Sequence, residues 1–237
     1  MRLPVCLAAA IMSLAPAARA EPGLFADFAI SSMLIDRGEQ LGRATFEAAA
    51  GVEVPLGEAT AYGALYRITP FGGDEGAFDE EVDYTLGLAW GGAGYSADLS
   101  ANWLTFPGTE GGESLELAGE IVIERAFSPT LAGFYDADFE DWGLEATAGP
   151  EWTAGDWTVY TIARLGFVEP GDGSPTRTYG GFEAGAARPV GEFAELGGYL
   201  RAEAADEDAF VDQIANDEVT GLTDTGIAAG ITLSFAR

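Results

Sequence analysis

The sequence predicts an all-β chain, a transmembrane up-and-down antiparallel β-barrel of about 12 strands. Three observations predict it. Segments of about ten to thirteen residues alternate apolar with small or polar residues from Glu21 to the end. No segment carries the ~20 consecutive apolar residues a membrane helix needs, whereas a tilted strand crosses with about 9–11 and needs only one apolar face. The links between segments alternate short and long, as they do when strands run up and down between two unlike sides of a membrane.

The chain opens on a leader. Arg2 is followed by the apolar stretch Leu3 to Leu14, and Ala18-Arg19-Ala20 closes it with small residues, so residues 1–20 read as a signal peptide cleaved after Ala20. Residues 21–237 then form a single barrel domain. The only cysteine, Cys6, lies in the leader, which leaves no disulfide in the mature chain. The whole chain has 11 basic residues, all arginine, against 39 acids and a formal charge of −28; losing Arg2 and Arg19 with the leader takes it to −30. Such a surface repels nucleic acid. High charge with few apolar residues would predict disorder, but here 48% of residues are apolar and 11% aromatic.

Strands are expected over 24–36, 42–55, 59–69, 80–90, 94–106, 114–125, 130–139, 141–152, 156–168, 177–187, 193–204 and 222–235. The alternation is clearest in the middle. Val82, Tyr84, Leu86, Leu88 and Trp90 share one face, and Glu81, Asp83, Thr85, Gly87 and Ala89 the other. Leu115, Leu117, Ile121 and Ile123 oppose Glu116 and Glu120, and Trp157, Val159, Leu165 and Phe167 oppose Tyr160 and Arg164. A slip of one residue would place carboxylates in lipid, so the register is strongly specified. Short links fall at Leu56-Gly57-Glu58, Gly91-Gly92-Ala93, Ala126 to Pro129, Thr153-Ala154-Gly155 and Pro189 to Glu192. Longer ones run from Pro70 to Asp79, Pro107 to Glu113, Glu169 to Thr176 and Ala205 to Gly221, while the link near Asp141 is very tight. Trp90, Tyr95, Trp103, Trp142, Trp152, Trp157 and Phe235 lie near strand ends, as interfacial aromatic girdles require.

Two blocks carry a family resemblance. Ser31-Ser32-Met33-Leu34-Ile35-Asp36-Arg37-Gly38-Glu39-Gln40 and the Gly- and Ala-rich strand after it resemble the opening hairpin of the TorF-type porin family of proteobacterial outer-membrane β-barrels, which carry an Arg-Gly pair at the hairpin tip. Glu80-Glu81-Val82-Asp83-Tyr84 and the stretch from Tyr95 to Phe106-Pro107-Gly108 are similar to a second block of that family. This chain departs from the pattern in lacking a tyrosine-rich first strand and in its short loops. The resemblance implies an outer-membrane barrel that acts as a channel, and it brings no catalytic residues.

The residues themselves exclude most chemistry. There is no histidine, which removes Ser-His-Asp triads and imidazole metal ligands together. No enzyme and no cofactor are expected. By alternation the inward face carries Glu47, Glu53, Asp83, Asp98, Glu116, Glu120, Asp136, Asp138, Glu145, Glu183, Glu195 and Glu203, against Arg43, Arg67, Arg164 and Arg201. Asp136 and Asp138 form a carboxylate pair, which reads as two acids on a wet wall rather than as a glycosidase site. Rings of charge are how pores choose ion sign. The expectation is therefore a porin-like outer-membrane channel passing small cationic or neutral solutes by passive diffusion. Its surroundings would be outer-membrane lipid and lipopolysaccharide, and the barrel-assembly machinery would insert it. The chain ends on Phe235 followed by Ala236 and Arg237, whereas insertion signals usually end on the aromatic itself. Porins often trimerise, but no sequence feature selects a homo-oligomer here. The alternatives are a non-conducting barrel in which Arg–Glu pairs lock the interior, and a soluble periplasmic barrel holding an apolar ligand, which requires the apolar face inward. In the former, the loop acids Asp74, Glu75, Asp79, Glu80, Glu81, Asp206, Glu207, Asp208, Asp212, Asp217 and Glu218 would bind Ca²⁺ or Mg²⁺; the metal is left unassigned.

Overall fold

A computed structural model describes residues 21–71, 80–107, 112–206, 210–215 and 218–237, with only the backbone described for 211–222. The leader at 1–20 lies outside the described residues. The chain runs β1 (Gly23–Ser31), β2 (Leu34–Asp36), β3 (Glu39–Gly42), β4 (Thr45–Leu56), β5 (Ala59–Pro70) and β6 (Glu81–Gly92). It continues through β7 (Tyr95–Phe106), β8 (Gly112–Ile123), β9 (Thr130–Asp136), β10 (Trp142–Ala148), β11 (Glu151–Ala154) and β12 (Trp157–Glu169). It finishes with β13 (Arg177–Pro189), β14 (Ala194–Ala205), β15 (Phe210–Ala215), β16 (Glu218–Thr223) and β17 (Thr225–Ala236).

Each wall strand pairs antiparallel with its neighbours, β1 bonds β17, and β10 bonds β12, so the sheet closes on itself. β10 and β11 both pair β12 and form one crossing interrupted at Gly149 and Pro150. Twelve crossings result, the predicted number. The interruption is local. Proline has no N–H for the ladder, and a Cβ on Gly149 would fall 1.6 Å from the Thr161 carbonyl oxygen. Closure pairs both sides of the wall strands except β11, whose ladder among the described residues runs to β12 alone, and so comes close to what a sheet in a solvent without hydrogen-bonding partners must achieve.

Except at Arg67 of β5, the parity is as predicted. Leu86 and Ile227 are 73% and 71% exposed on the outer face, among a continuous belt that includes Leu165, Leu200 and Ile231. Trp90, Tyr95, Trp152, Trp157 and Phe235 point outward near the short turns, and Trp103 and Trp142 near the long links. The arrangement required by a soluble barrel with an apolar interior is reversed.

Two segments differ from the sequence expectation. The first strand stops at Ser31 instead of running to residue 36, and residues 34–42 form the separate hairpin β2–β3. Its turn residues Arg37 and Gly38 have φ of 47° and 75°, the two positive angles of a type I′ turn. The long link after β14 contains the hairpin β15–β16.

The barrel interior as candidate functional site

The hairpin β2–β3 lies inside the barrel, with its apolar side chains packed against opposite walls. Leu34 and Leu41 form a buried cluster with Ala49, Tyr66 and Ile68 of β4 and β5. Ile35 packs with Val168, Tyr179, Ala205 and Ala228 across the lumen, together with Phe210 from β15. The tip reaches a third part of the wall. Arg37 Nη2 donates to Glu116 Oε2 at 2.8 Å, and its guanidinium lies 3.3 Å above the Phe134 ring. Arg177 fastens the base of the turn, donating from Nε to the Arg37 carbonyl at 3.1 Å and from Nη1 to Glu39 at 2.6 Å. Gly38 is packed so closely that a Cβ there would lie 2.3 Å from the Tyr179 Cβ. The hairpin thereby fills the long-link half of the lumen: Ile68, Glu81, Glu116, Thr45 and Phe210 are fully buried at that level. Toward the short turns Glu53, Ser96 and Glu120 are only partly buried.

Charge on the interior is divided between two walls. Strands β12 to β14 carry Arg164, Arg177 and Arg201. Arg164 reaches Glu203 at 3.1 Å, Glu183 at 3.3 Å and Glu145 at 3.6 Å, while Arg201 Nε donates to Glu203 at 2.8 Å. Strands β4 to β8 present Glu47, Glu81, Asp83, Asp98, Glu116 and Glu120 inward, and no arginine from those strands joins them. Tyrosine hydroxyls satisfy several of these carboxylates. Tyr66 donates to Glu47 at 2.8 Å and Tyr62 to Asp98 at 2.9 Å; on the other wall Tyr160 donates to Glu183 and Tyr179 to Glu145. A neutral donor satisfies a carboxylate without supplying a compensating positive charge. Asp36, on the hairpin, has its carboxyl pushed up to about 6 by burial, a shift opposed by Arg37 and Arg201.

Several predicted positions need correction. Arg67 is on the outer face: Tyr66 and Ile68 occupy the inward positions of β5 beneath the hairpin, and Arg67 pairs with Glu80 at the long-link rim. Arg43 lies in the bend between β3 and β4 rather than on a wall strand. Asp138 is exposed in the turn after β9, where its carboxylate accepts the Leu115 N–H at 2.9 Å. Asp136 faces inward and is buried, but its Oδ1 accepts the N–H groups of Asp138 and Phe139, so it caps that turn. Glu195 has inward parity opposite Ser234 but is exposed at the short-turn mouth, and Glu53 is half-buried near it. Glu81, read from the sequence both on the inward face of its strand and among the loop acids, is buried inside the barrel. Of the other loop acids, Asp206 caps the Thr178 N–H at 2.8 Å and Glu80 pairs Arg67. Asp74, Glu75, Asp79, Glu207, Asp208 and Asp217, with the side chains of Asp212 and Glu218, lie outside the described residues. The residues sequence reasoning missed are Arg37, Asp36, Arg177 and the inward Tyr62, Tyr66 and Tyr179, while Tyr160 was read on the inward face beside Arg164. Parity would have found Tyr62 in the same way, whereas nothing local marks Arg37 as interior. Among the described residues no group of three or more acidic, His or Cys side chains is arranged to hold a metal ion.

No family model matches the chain, and no curated protein does. Solved structures do. An outer-membrane channel from Pseudomonas putida F1 superposes with a TM-score of 0.53 at 7% identity, over 91% of this chain and 94% of its own. The β domain of the Bordetella autotransporter BrkA gives a TM-score of 0.43 at 15% identity, over 90% and 98%. A refined porin structure gives 0.38 at 10%, over 92% and 99%. The fold is that of the outer-membrane β-barrels.

Proposed function

We propose that this chain is an outer-membrane diffusion channel for small solutes, with a preference for cations and with the hairpin β2–β3 as its constriction. The reading takes the leader as a cleaved export signal and the exposed apolar belt as the lipid-facing surface. The long links then face outward, among lipopolysaccharide, and the barrel-assembly machinery inserts the barrel. Membership of the TorF-type porin family is part of the proposal, supported by the Arg37-Gly38 pair at the tip of the inner hairpin. The observation that carries cation preference is the wall of β4 to β8, whose carboxylates are held by tyrosines and apolar neighbours rather than by arginines of the same wall. A solute crossing the lumen meets that field at short range, where low-dielectric walls focus it. No catalysis and no cofactor enter this reading.

Reconstitution of the refolded chain in planar bilayers under a KCl gradient tests it. Discrete current steps with a reversal potential toward that of K⁺ are expected. Anion preference would remove the selectivity claim. A second reading, a closed structural barrel, is favoured by the fully buried layer at the hairpin. It predicts no current steps from the wild-type chain or from a variant whose hairpin has been released.

A further inference from the structure

Asp98 and Glu120 are direct cross-strand partners on β7 and β8, both on the inward face. Like charges directly opposite on neighbouring strands are unfavourable. Two such carboxyl groups are relieved either by keeping a proton on one of them or by binding a cation, and no arginine pairs with either among the described residues. Tyr62 fixes one oxygen of Asp98 through its 2.9 Å hydrogen bond to Oδ1. The other oxygen, Oδ2, is buried with no hydrogen-bond donor, and the residue as a whole is 4% exposed. Glu120 is only partly buried, so this pair opens toward the short-turn half of the lumen. In this it differs from Glu81 and Asp83, which the hairpin level seals.

We propose that Asp98 and Glu120 form a binding station for a hydrated divalent cation on the acidic wall, entered from the short-turn end. The two carboxylates match a double positive charge. A small divalent ion such as Mg²⁺ keeps most of its water and binds through one or two carboxylates, which suits one fixed buried oxygen beside a more accessible group. With only two protein ligands the ion is held weakly enough to leave, the condition for a station on a conducting path. The proposal deepens the channel reading, but binding does not require conduction.

Titration calorimetry of the detergent-refolded chain with MgCl₂ tests it directly. Asp98→Asn and Glu120→Gln are near-isosteric, and folding of each is checked by heat-modifiable migration. The Glu58→Gln variant, in an exposed turn, removes the same charge elsewhere. We expect D98N and E120Q each to lose one Mg²⁺ binding event or weaken it at least tenfold, with E58Q like wild type. Wild-type binding retained in either folded variant, or an equal loss in E58Q, would overturn the station. Recordings in KCl with added MgCl₂ separate the two claims. Current that Mg²⁺ blocks in wild type but not in E120Q supports both. Mg²⁺ binding that depends on Asp98 and Glu120 without any current keeps the station and removes the channel. Current with no Asp98- or Glu120-dependent binding does the reverse.

Discussion

Replacing Arg37 by alanine tests whether the inner hairpin is the constriction. Arg37 is the turn residue at the tip, flanked by Asp36 and Glu39, and its guanidinium does three things. It donates to Glu116 at 2.8 Å with both side chains buried, approaches Asp36 at 3.6 Å, and covers the Phe134 ring at 3.3 Å. Truncation removes that guanidinium from the buried Glu116 carboxylate, which keeps the Asn102 amide donor at 3.2 Å. Breaking one side of a buried pair costs about 3–5 kcal/mol. Taking the lower end, and a tenfold change per ~1.4 kcal/mol, the docked hairpin loses roughly two orders of magnitude in its equilibrium against an undocked state. The barrel wall closes through its own backbone ladder, so it persists when the tip lets go. Single-channel recording of refolded Arg37→Ala should therefore show larger or far more frequent conductance steps than wild type. Arg37→Lys, which keeps the charge but not the planar fork, should fall between them. If R37A folds and its conductance and open probability equal those of wild type, the hairpin does not control passage.

Gly38→Val should undock the same turn by a different route, because φ of 75° and the Tyr179 Cβ both exclude a branched side chain. It should match R37A in conductance while leaving Glu116 and Arg37 in place. Asp36 predicts a pH dependence. Its carboxyl in the docked hairpin is raised from 3.8 to about 6, so the docked state binds the proton more tightly, and docking is favoured at low pH and weakened as pH rises from about 4 to about 6. The full effect is about 3 kcal/mol. Conductance should thus fall on acidification through pH 6, and the Asp36→Asn variant should remove that component. Leu86→Arg places a charge on the outer face and should destabilise the folded barrel in lipid vesicles by about 2–4 kcal/mol in urea titrations if that position lies near the midplane. An effect near zero would argue that this face is in water.

The wall was legible because its rule is local. Period two assigns each residue to lipid or lumen with no knowledge of the partner strand, and twelve segments agreed. Asp83, Asp98, Glu116, Glu120 and Arg164 therefore fall where alternation puts them. Arg67 did not, because β5 offers Tyr62, Leu65, Tyr66 and Ile68 in succession and either parity leaves an apolar face. The burial of Tyr66 and Ile68 by Leu34 and Leu41 decides it. Asp138 looked like a wall residue because the strand ends at Asp136 only once the turn capped by Asp136 is known. The hairpin was illegible for a different reason. Its arms of three and four residues are too short for a periodic signal, and the partners that hold its tip lie 79 and 140 residues away in the chain.

Those separations bear on how the molecule is made. Residues 34–42 are synthesised among the first of the barrel, yet Glu116 and Arg177, which bind the tip, belong to β8 and β13. The hairpin can find its seat only after both strands have taken their places around a nearly complete circle, since contacts this distant carry the largest loop-closure cost. Docking is then a late event that reports on the register of strands far from it: a shift of β8 by one residue would turn Glu116 toward lipid and leave Arg37 unmatched. The inner hairpin in this sense proofreads the closure of the wall around it.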